Sequence, residues 1–141
     1  MSKGIVSLQM LLLLLGFSAA CDYKIEFPGD YELAKIYSNC YIIYDAKSSD
    51  ILIDQAYIEY RVLGAYVLGF ASESSCPRSE FEPPAKEDYY FIINTATRDM
   101  VEYPDHDQWL SAARTQGITE TEPLLEKPTR FHSFRSYRSS S

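Results

Sequence analysis

Histidine is almost missing from this chain: His106 and His132 are the only two in 141 residues. His132 sits in a segment with no rigid support, which a general base needs. His106 stands between two acids in "PDHDQW", but successive helix residues point in different directions, so the three do not converge on one ion. An acidic helix start explains them better. Cysteine is as sparse, with three residues and no C-x-x-C spacing, which removes support for a zinc site or a thioredoxin-type redox centre. There is no G-x-S-x-G elbow, no P-loop and no dinucleotide-binding glycine pattern. Acidic pairs such as Glu87 with Asp88, or Asp99 with Glu102, are what a small hydrolase would have to use, yet carboxylates this common are usually solvated surface. The chain is therefore expected to be non-enzymatic, with no catalytic residue, no metal and no cofactor.

Basic charge is scarce in the body of the chain. Residues 21–126 carry 20 acids against 8 bases, a net charge of −12, whereas residues 127–141 carry 4 bases and no acid. An acidic body offers no electrostatic footprint for nucleic acid, so that class of partner is disfavoured. In the basic tail, Phe131, Phe134 and Tyr137 recur every third residue among Arg130, Arg135 and Arg138. Such interleaving suits an anionic membrane surface or single-stranded nucleic acid. The composition favours an ordinary soluble tail instead.

Long apolar runs are also few. Residues 5–17 form an uncharged stretch of 13 containing "MLLLLLGF", and as a helix it would rise about 20 Å, short of the roughly 30 Å hydrocarbon layer. Five consecutive leucines leave no polar face, which argues against a helix of the fold. With Lys3 ahead of it, the run reads as the core of a signal peptide covering residues 1–20. Ser18 and Ala20 are the small residues at −3 and −1 that a secretory peptidase reads. The same stretch, "SAAC", resembles the lipobox of bacterial lipoproteins, in which the cysteine is lipidated through sulfur and becomes the first residue. Ala19, Ala20 and Cys21 match that pattern, and Ser18 departs from the leucine usual at −3. The resemblance implies lipidation of Cys21; secretion without lipid is the alternative. Two or three acyl chains hold a protein to a membrane stably, where one is marginal.

An odd cysteine in an exported protein needs an explanation. Lipidation of Cys21 supplies it and leaves Cys40 and Cys76 as a disulfide pair, with two unpaired thiols as the alternative.

What is abundant points to strands. Apolar residues reach 46% and aromatics 14%, with twelve tyrosines, enough to bury a core and suited to half-buried strand faces. "DYKIEF" alternates, with Tyr23, Ile25 and Phe27 on one face, and "PGD" then turns. "YELAKIYSN" and "CYIIYD" read as strands two and three, and "AKSSD" as a turn before "ILID". From 56 to 62, Ala56, Ile58, Tyr60 and Val62 face inward and Tyr57, Glu59 and Arg61 outward. "AYVLGFA" is a strand with bends or bulges expected at Gly64 and Gly69. Residues 72–88, with three prolines, form a long surface loop. "YYFIINTATRDMVEY" is a hairpin, and "DHDQWLSAARTQG" a helix capped by Asp105, with Trp109, Leu110 and Ala113 on its apolar face and Gly117 as its stop. The expected fold is α+β: an antiparallel sheet of about six or seven strands with one C-terminal helix, spanning residues 21–118. A disordered basic tail is expected over 119–141.

The leader ending in "AAC", together with "PGDYELAKI", the hairpin "YYFIINTATRDMVEY" and "WLSAARTQGI", resembles small bacterial lipoproteins of uncharacterised type. The likeness spans about residues 21–118 and implies a cell-envelope protein on the extracytoplasmic side. Asp22 resembles the residue that retains enteric lipoproteins in the inner membrane. Similar hairpin-then-helix endings occur in periplasmic immunity proteins. Neither likeness assigns a binding residue. The expectation is a lipid-anchored module whose tyrosine-rich, acidic surface binds another protein. An immunity protein or toxin inhibitor is the alternative, and a small hydrolase the least favoured.

Overall fold

A computed structural model describes residues 24–118 and 125–128. Residues 1–23, which include the expected signal peptide, Cys21 and Asp22, and residues 119–124 and 129–141 of the expected tail lie outside the described residues.

Seven strands follow one another in chain order and pair antiparallel with their neighbours: β1 (Lys24–Glu26), β2 (Tyr31–Tyr37), β3 (Cys40–Asp45), β4 (Ile51–Leu63), β5 (Tyr66–Ser72), β6 (Tyr89–Asn94) and β7 (Asp99–Tyr103). One helix, α1 (His106–Thr115), comes last. The α+β fold expected from the alternating runs is the fold observed.

The runs "ILID" and "AYIEYRV" are halves of one strand. Gln55 lies between them with a φ of 45°, and a residue in the left-handed region breaks the pleat and bends the strand. Up to Ala56, β4 pairs with β3 (Ile43 opposite Ile53 and, just past the bend, Tyr41 opposite Ala56); from Tyr57 on, it pairs with β5 (Tyr57 opposite Ser72). The sheet therefore turns at β4 and folds on itself. Ile25, Phe27, Leu33 and Ile43 from its first half meet Ile58, Tyr60, Val67, Phe91 and Ile93 from its second, with the Phe27 and Tyr60 rings 5.3 Å apart. Ala56, Ile58 and Tyr60 are fully buried and Val62 packs on the same core, as their alternation predicts.

Gly69 corrects an expectation. It sits in an unbroken register, opposite Tyr60 on one side and Phe91 on the other, with no bulge. Its role is steric. A Cβ there would lie 2.2 Å from the Glu59 carbonyl oxygen and 2.5 Å from the Phe91 ring. Gly64, at a φ of 58°, lies in the turn between β4 and β5 and puts no bulge into a strand.

The helix covers the outer face of β5 and β6. Asp105 accepts a hydrogen bond from the Gln108 N–H at 2.8 Å, and Gly117 follows the last turn at a φ of 84°. Trp109 and Ala113 are buried against Leu68, Ile92 and Ile118. His106 packs beside the Tyr90 and Trp109 rings, 5.4 and 5.5 Å away, a helix-start residue in an aromatic cluster.

Part of the segment assigned to a disordered tail is held by the sheet. Tyr60 and Glu126 exchange both backbone hydrogen bonds, at 2.9 and 2.7 Å, and Arg61 pairs with Glu126 at 3.6 Å. The outer edge of β4 beyond Ala56 is not paired by β3, so its backbone groups accept another extended segment. The disordered reading does not extend to residues 125–128.

At the far end of the sheet, Arg98 in the β6–β7 turn joins the two halves. It donates to the Gly29 carbonyl at 2.8 Å and to the Asp45 carboxylate, and lies over the Tyr31 ring at 4.7 Å. The hydrogen bond from Arg98, reinforced by the Lys47 and Ser48 N–H groups, holds the Asp45 carboxyl at about 2. A carboxyl lowered from its ordinary value near 3.9 stabilises the fold above that value, and the contribution is lost as pH falls towards 2. The urea midpoint of the wild type is thus expected to fall between pH 5 and pH 2 by more than that of Asp45→Asn. Equal pH dependence in the two would remove this assignment.

Candidate docking loop

The loop of residues 73–88 joins β5 to β6, and it is fixed to the sheet at the point where β4 breaks. Cys76 is bonded to Cys40 at the start of β3. The expected pair is therefore formed, with both residues buried. Pro77 accepts a hydrogen bond from the Tyr37 hydroxyl at 2.8 Å, tying the loop to the end of β2. Arg78 then reaches across, donating to the Asp54 carbonyl at 3.0 Å and to Glu73 at 2.9 Å. The bend at Gln55 turns these β4 carbonyls away from a regular ladder, and a guanidinium with several donors in one plane serves both the carbonyl and the carboxylate.

Glu73 is the buried acid of this hub, 7% exposed, and a charge so placed needs partners. Besides Arg78, it accepts from the Lys86 N–H and from the Tyr89 hydroxyl, both at 3.4 Å. Burial, and then the Glu73 charge, push the Tyr89 phenol well above its ordinary value, which keeps it a donor. Burial and the Glu59 carboxylate likewise push Tyr57 up to about 12. These tyrosines act as protonated donors.

The tip is exposed. Ser79 and Glu82 close a turn, with the Glu82 N–H on the Ser79 carbonyl at 3.2 Å and the Ser79 hydroxyl on the Glu82 carboxylate at 3.3 Å. Between them, Phe81 is 90% exposed. Ile36 and Tyr37, 43% and 37% exposed, lie at the end of β2 to which the loop is stapled. Among the described residues the other exposed large hydrophobics are Ile51 and Val101, and Phe81 follows the Tyr37-bound Pro77 by four residues. The sequence alone assigns no partner-binding residue. The available signal was a large apolar residue in a proline-rich acidic loop, "SEFEPP".

The acids considered for catalysis are not brought together. Asp99 and Val101 line the outer face of β7 while Met100 packs into the inner core, so alternation puts Asp99 and Glu102 on opposite faces. Glu102 is bound to Lys86 at 3.0 Å. Glu87 and Asp88 are exposed on the loop. A groove of about 290 Å³ beside the helix end is lined by Tyr66, Ile92, Asn94, Thr97, Asp99 and Gln116, with Asp99 its one carboxylate. No group of three or more potential metal ligands occurs among the described residues. No helix among them is long and apolar enough to cross a membrane.

Comparison with protein-family models, with curated proteins and with solved structures finds no match in any of the three. The functional reading therefore rests on the residues themselves.

Proposed function

We propose that the chain is a lipid-anchored bacterial envelope protein that binds another protein, without catalysis, through the stapled end carrying Ile36, Tyr37 and Phe81. The observation that carries the reading is a phenylalanine ordered without being buried. A disulfide, a buried ion pair and a hydrogen-bonded turn hold Phe81 out in water. Aromatic side chains held ready in this way concentrate binding energy, because little conformational freedom is lost when they dock.

The acidic setting favours a basic partner, and a periplasmic immunity protein or toxin inhibitor is the specific form this takes. Protection of a sensitive strain in a competition assay tests that form. Phe81→Ala is expected to leave the stability, read from urea unfolding, within about 0.5 kcal/mol of wild type, since the side chain is 90% exposed. It should weaken partner binding by roughly 2 kcal/mol. Unchanged binding would remove Phe81 from the interface.

Intact mass of the protein extracted from membranes tests the anchor. A lipid-sized increment on Cys21 is expected. An unmodified, soluble product beginning at Cys21 would overturn this part of the proposal.

A further inference from the structure

The groove beside the helix end has a floor set by strand register. Tyr66 on β5 stands opposite Asn94 on β6, and Asn94 stands opposite Asp99 on β7, so the three make one polar row across the outer face. The next row on that face is apolar: Leu68 is opposite Ile92, and Ile92 opposite Val101. Leu68 packs under the helix, whereas Ile92 and Val101 line the groove, Val101 with 46% of its surface exposed. Thr97 from the β6–β7 turn and Gln116 from the end of α1 complete the lining.

The hydrogen-bonding sense of the polar row narrows what can bind. Asn94 Oδ1 accepts the Ala96 and Thr97 N–H groups at 3.1 and 3.2 Å, so the side chain has its NH₂ left to offer, and that group only donates. Its cross-strand neighbour Asp99 presents a carboxylate, which only accepts. The cation next in the chain, Arg98, is already bound to Asp45. Residues paired across strands have Cβ atoms about 5 Å apart, near enough for both side chains to reach adjacent groups of one small ligand. Adjacent hydroxyls meet a donor and an acceptor together, because each hydroxyl both donates and accepts. An ammonium or guanidinium ion donates only and leaves the Asn94 amide unmet. A phosphate or carboxylate accepts only and is repelled by Asp99. The apolar row alongside takes up C–H groups, and a ring with hydroxyls at its edge and C–H groups on its face is a sugar.

We propose that this groove binds one neutral pyranose unit, with adjacent ring hydroxyls on Asn94 and Asp99 and the C–H face over Val101. At about 290 Å³ the groove lies at the small end for ligand sites, which suits a single ring. It holds one carboxylate, where glycoside hydrolysis ordinarily needs a pair, so the sugar is bound and not cleaved. Neither the docking loop nor the anchor enters into this site.

The test is NMR titration of the full chain in a detergent without a sugar headgroup, read at the Asn94 side-chain amide and the backbone amides of residues 66, 97, 101 and 116. The probes are the methyl glycosides of glucose, galactose, mannose and N-acetylglucosamine, with putrescine, inorganic phosphate and guanosine as ligands of other chemistry. At least one glycoside should move these signals with a Kd of about 1 mM, the strength expected of a small ligand on an open groove. Asp99→Ala should weaken that binding about tenfold while signals away from the groove keep their positions. The Asn94 side-chain signal of the wild type reads the same contact without any substitution. No shift from any glycoside well past that concentration would overturn the inference. Tighter binding of putrescine or phosphate would overturn it in favour of an ion, and tighter binding of guanosine in favour of a planar base. Shifts confined to other residues, or indifferent to Asp99→Ala, would overturn the site.

Discussion

Replacing both cysteines, as Cys40→Ser with Cys76→Ser, is expected to lower the stability of the domain by about 4 kcal/mol, read as a shift in the urea midpoint under non-reducing conditions. The bond spans 36 residues of sequence, and opening a loop of that length restores roughly this much entropy to the unfolded chain. Small domains have about 5–15 kcal/mol in total, so the loss is a large fraction of what is there. The fold should nonetheless persist, because Ile25, Leu33, Ile43, Ile58 and Phe91 form a core that does not include the sulfurs. The loop is a separate matter. Without the bond, residues 73–88 keep Arg78 on the Asp54 carbonyl and on Glu73, and the Tyr37 hydroxyl on Pro77. Hydrogen bonds of this kind contribute about 1 kcal/mol each, somewhat more where a charged group takes part. Amide exchange in the loop is therefore expected to rise more than exchange in β5 and β6. A loss below about 1 kcal/mol would mean that the unfolded chain is already restricted near Cys40 and Cys76. Faster exchange in β5 than in the loop would mean that the disulfide supports the sheet before it supports the loop.

Much of the architecture is legible in the chain because its cues are local. Ala56, Ile58, Tyr60 and Val62 alternate, and one face of β4 is buried accordingly. Asp105 and Gly117 bracket a helix, and they cap and stop it. The misreadings occur where a residue type has two physical uses. Gly69 announces that a side chain is not tolerated, but the sequence does not say whether conformation or space forbids it; the Phe91 ring decides for space. Gln55 carries no mark of its left-handed backbone, so one bent strand reads as two runs. The candidate site is the least legible part. Arg78 meets Asp54, and Tyr37 meets Pro77, across 24 and 40 residues of chain. What distinguishes Phe81 from any apolar residue in a loop is the order imposed by those distant contacts. Cysteine counting pairs Cys40 with Cys76, yet it does not reveal that the bond presents an aromatic ring.

Trp109→Ala is expected to cost about 3–5 kcal/mol, the range for truncating a large buried aromatic residue. The indole is 1% exposed and is the largest side chain between α1 and the sheet, packed with Leu68, Ile92, Ala113 and Ile118. Its N–H donates to the Phe91 carbonyl at 3.0 Å, so the ring also ties the helix to β6, the strand whose opposite face lines the inner core. A second variant separates the two contributions. Trp109→Phe keeps most of the apolar contact and removes the donor, and should cost about 1–3 kcal/mol for one lost hydrogen bond and a partly filled space. The two variants also differ in where they act. In Trp109→Ala, nothing else of comparable size holds α1, and amide exchange in residues 106–115 should approach that of an isolated ten-residue helix, which is marginal in water. In Trp109→Phe the helix should stay docked, and protection should fall evenly over α1 and β6. Equal losses in the two variants would assign the stabilisation to the hydrogen bond. A negligible loss in Trp109→Ala would show that Leu68 and Ile92 close over the gap, and that α1 is held by its other apolar contacts.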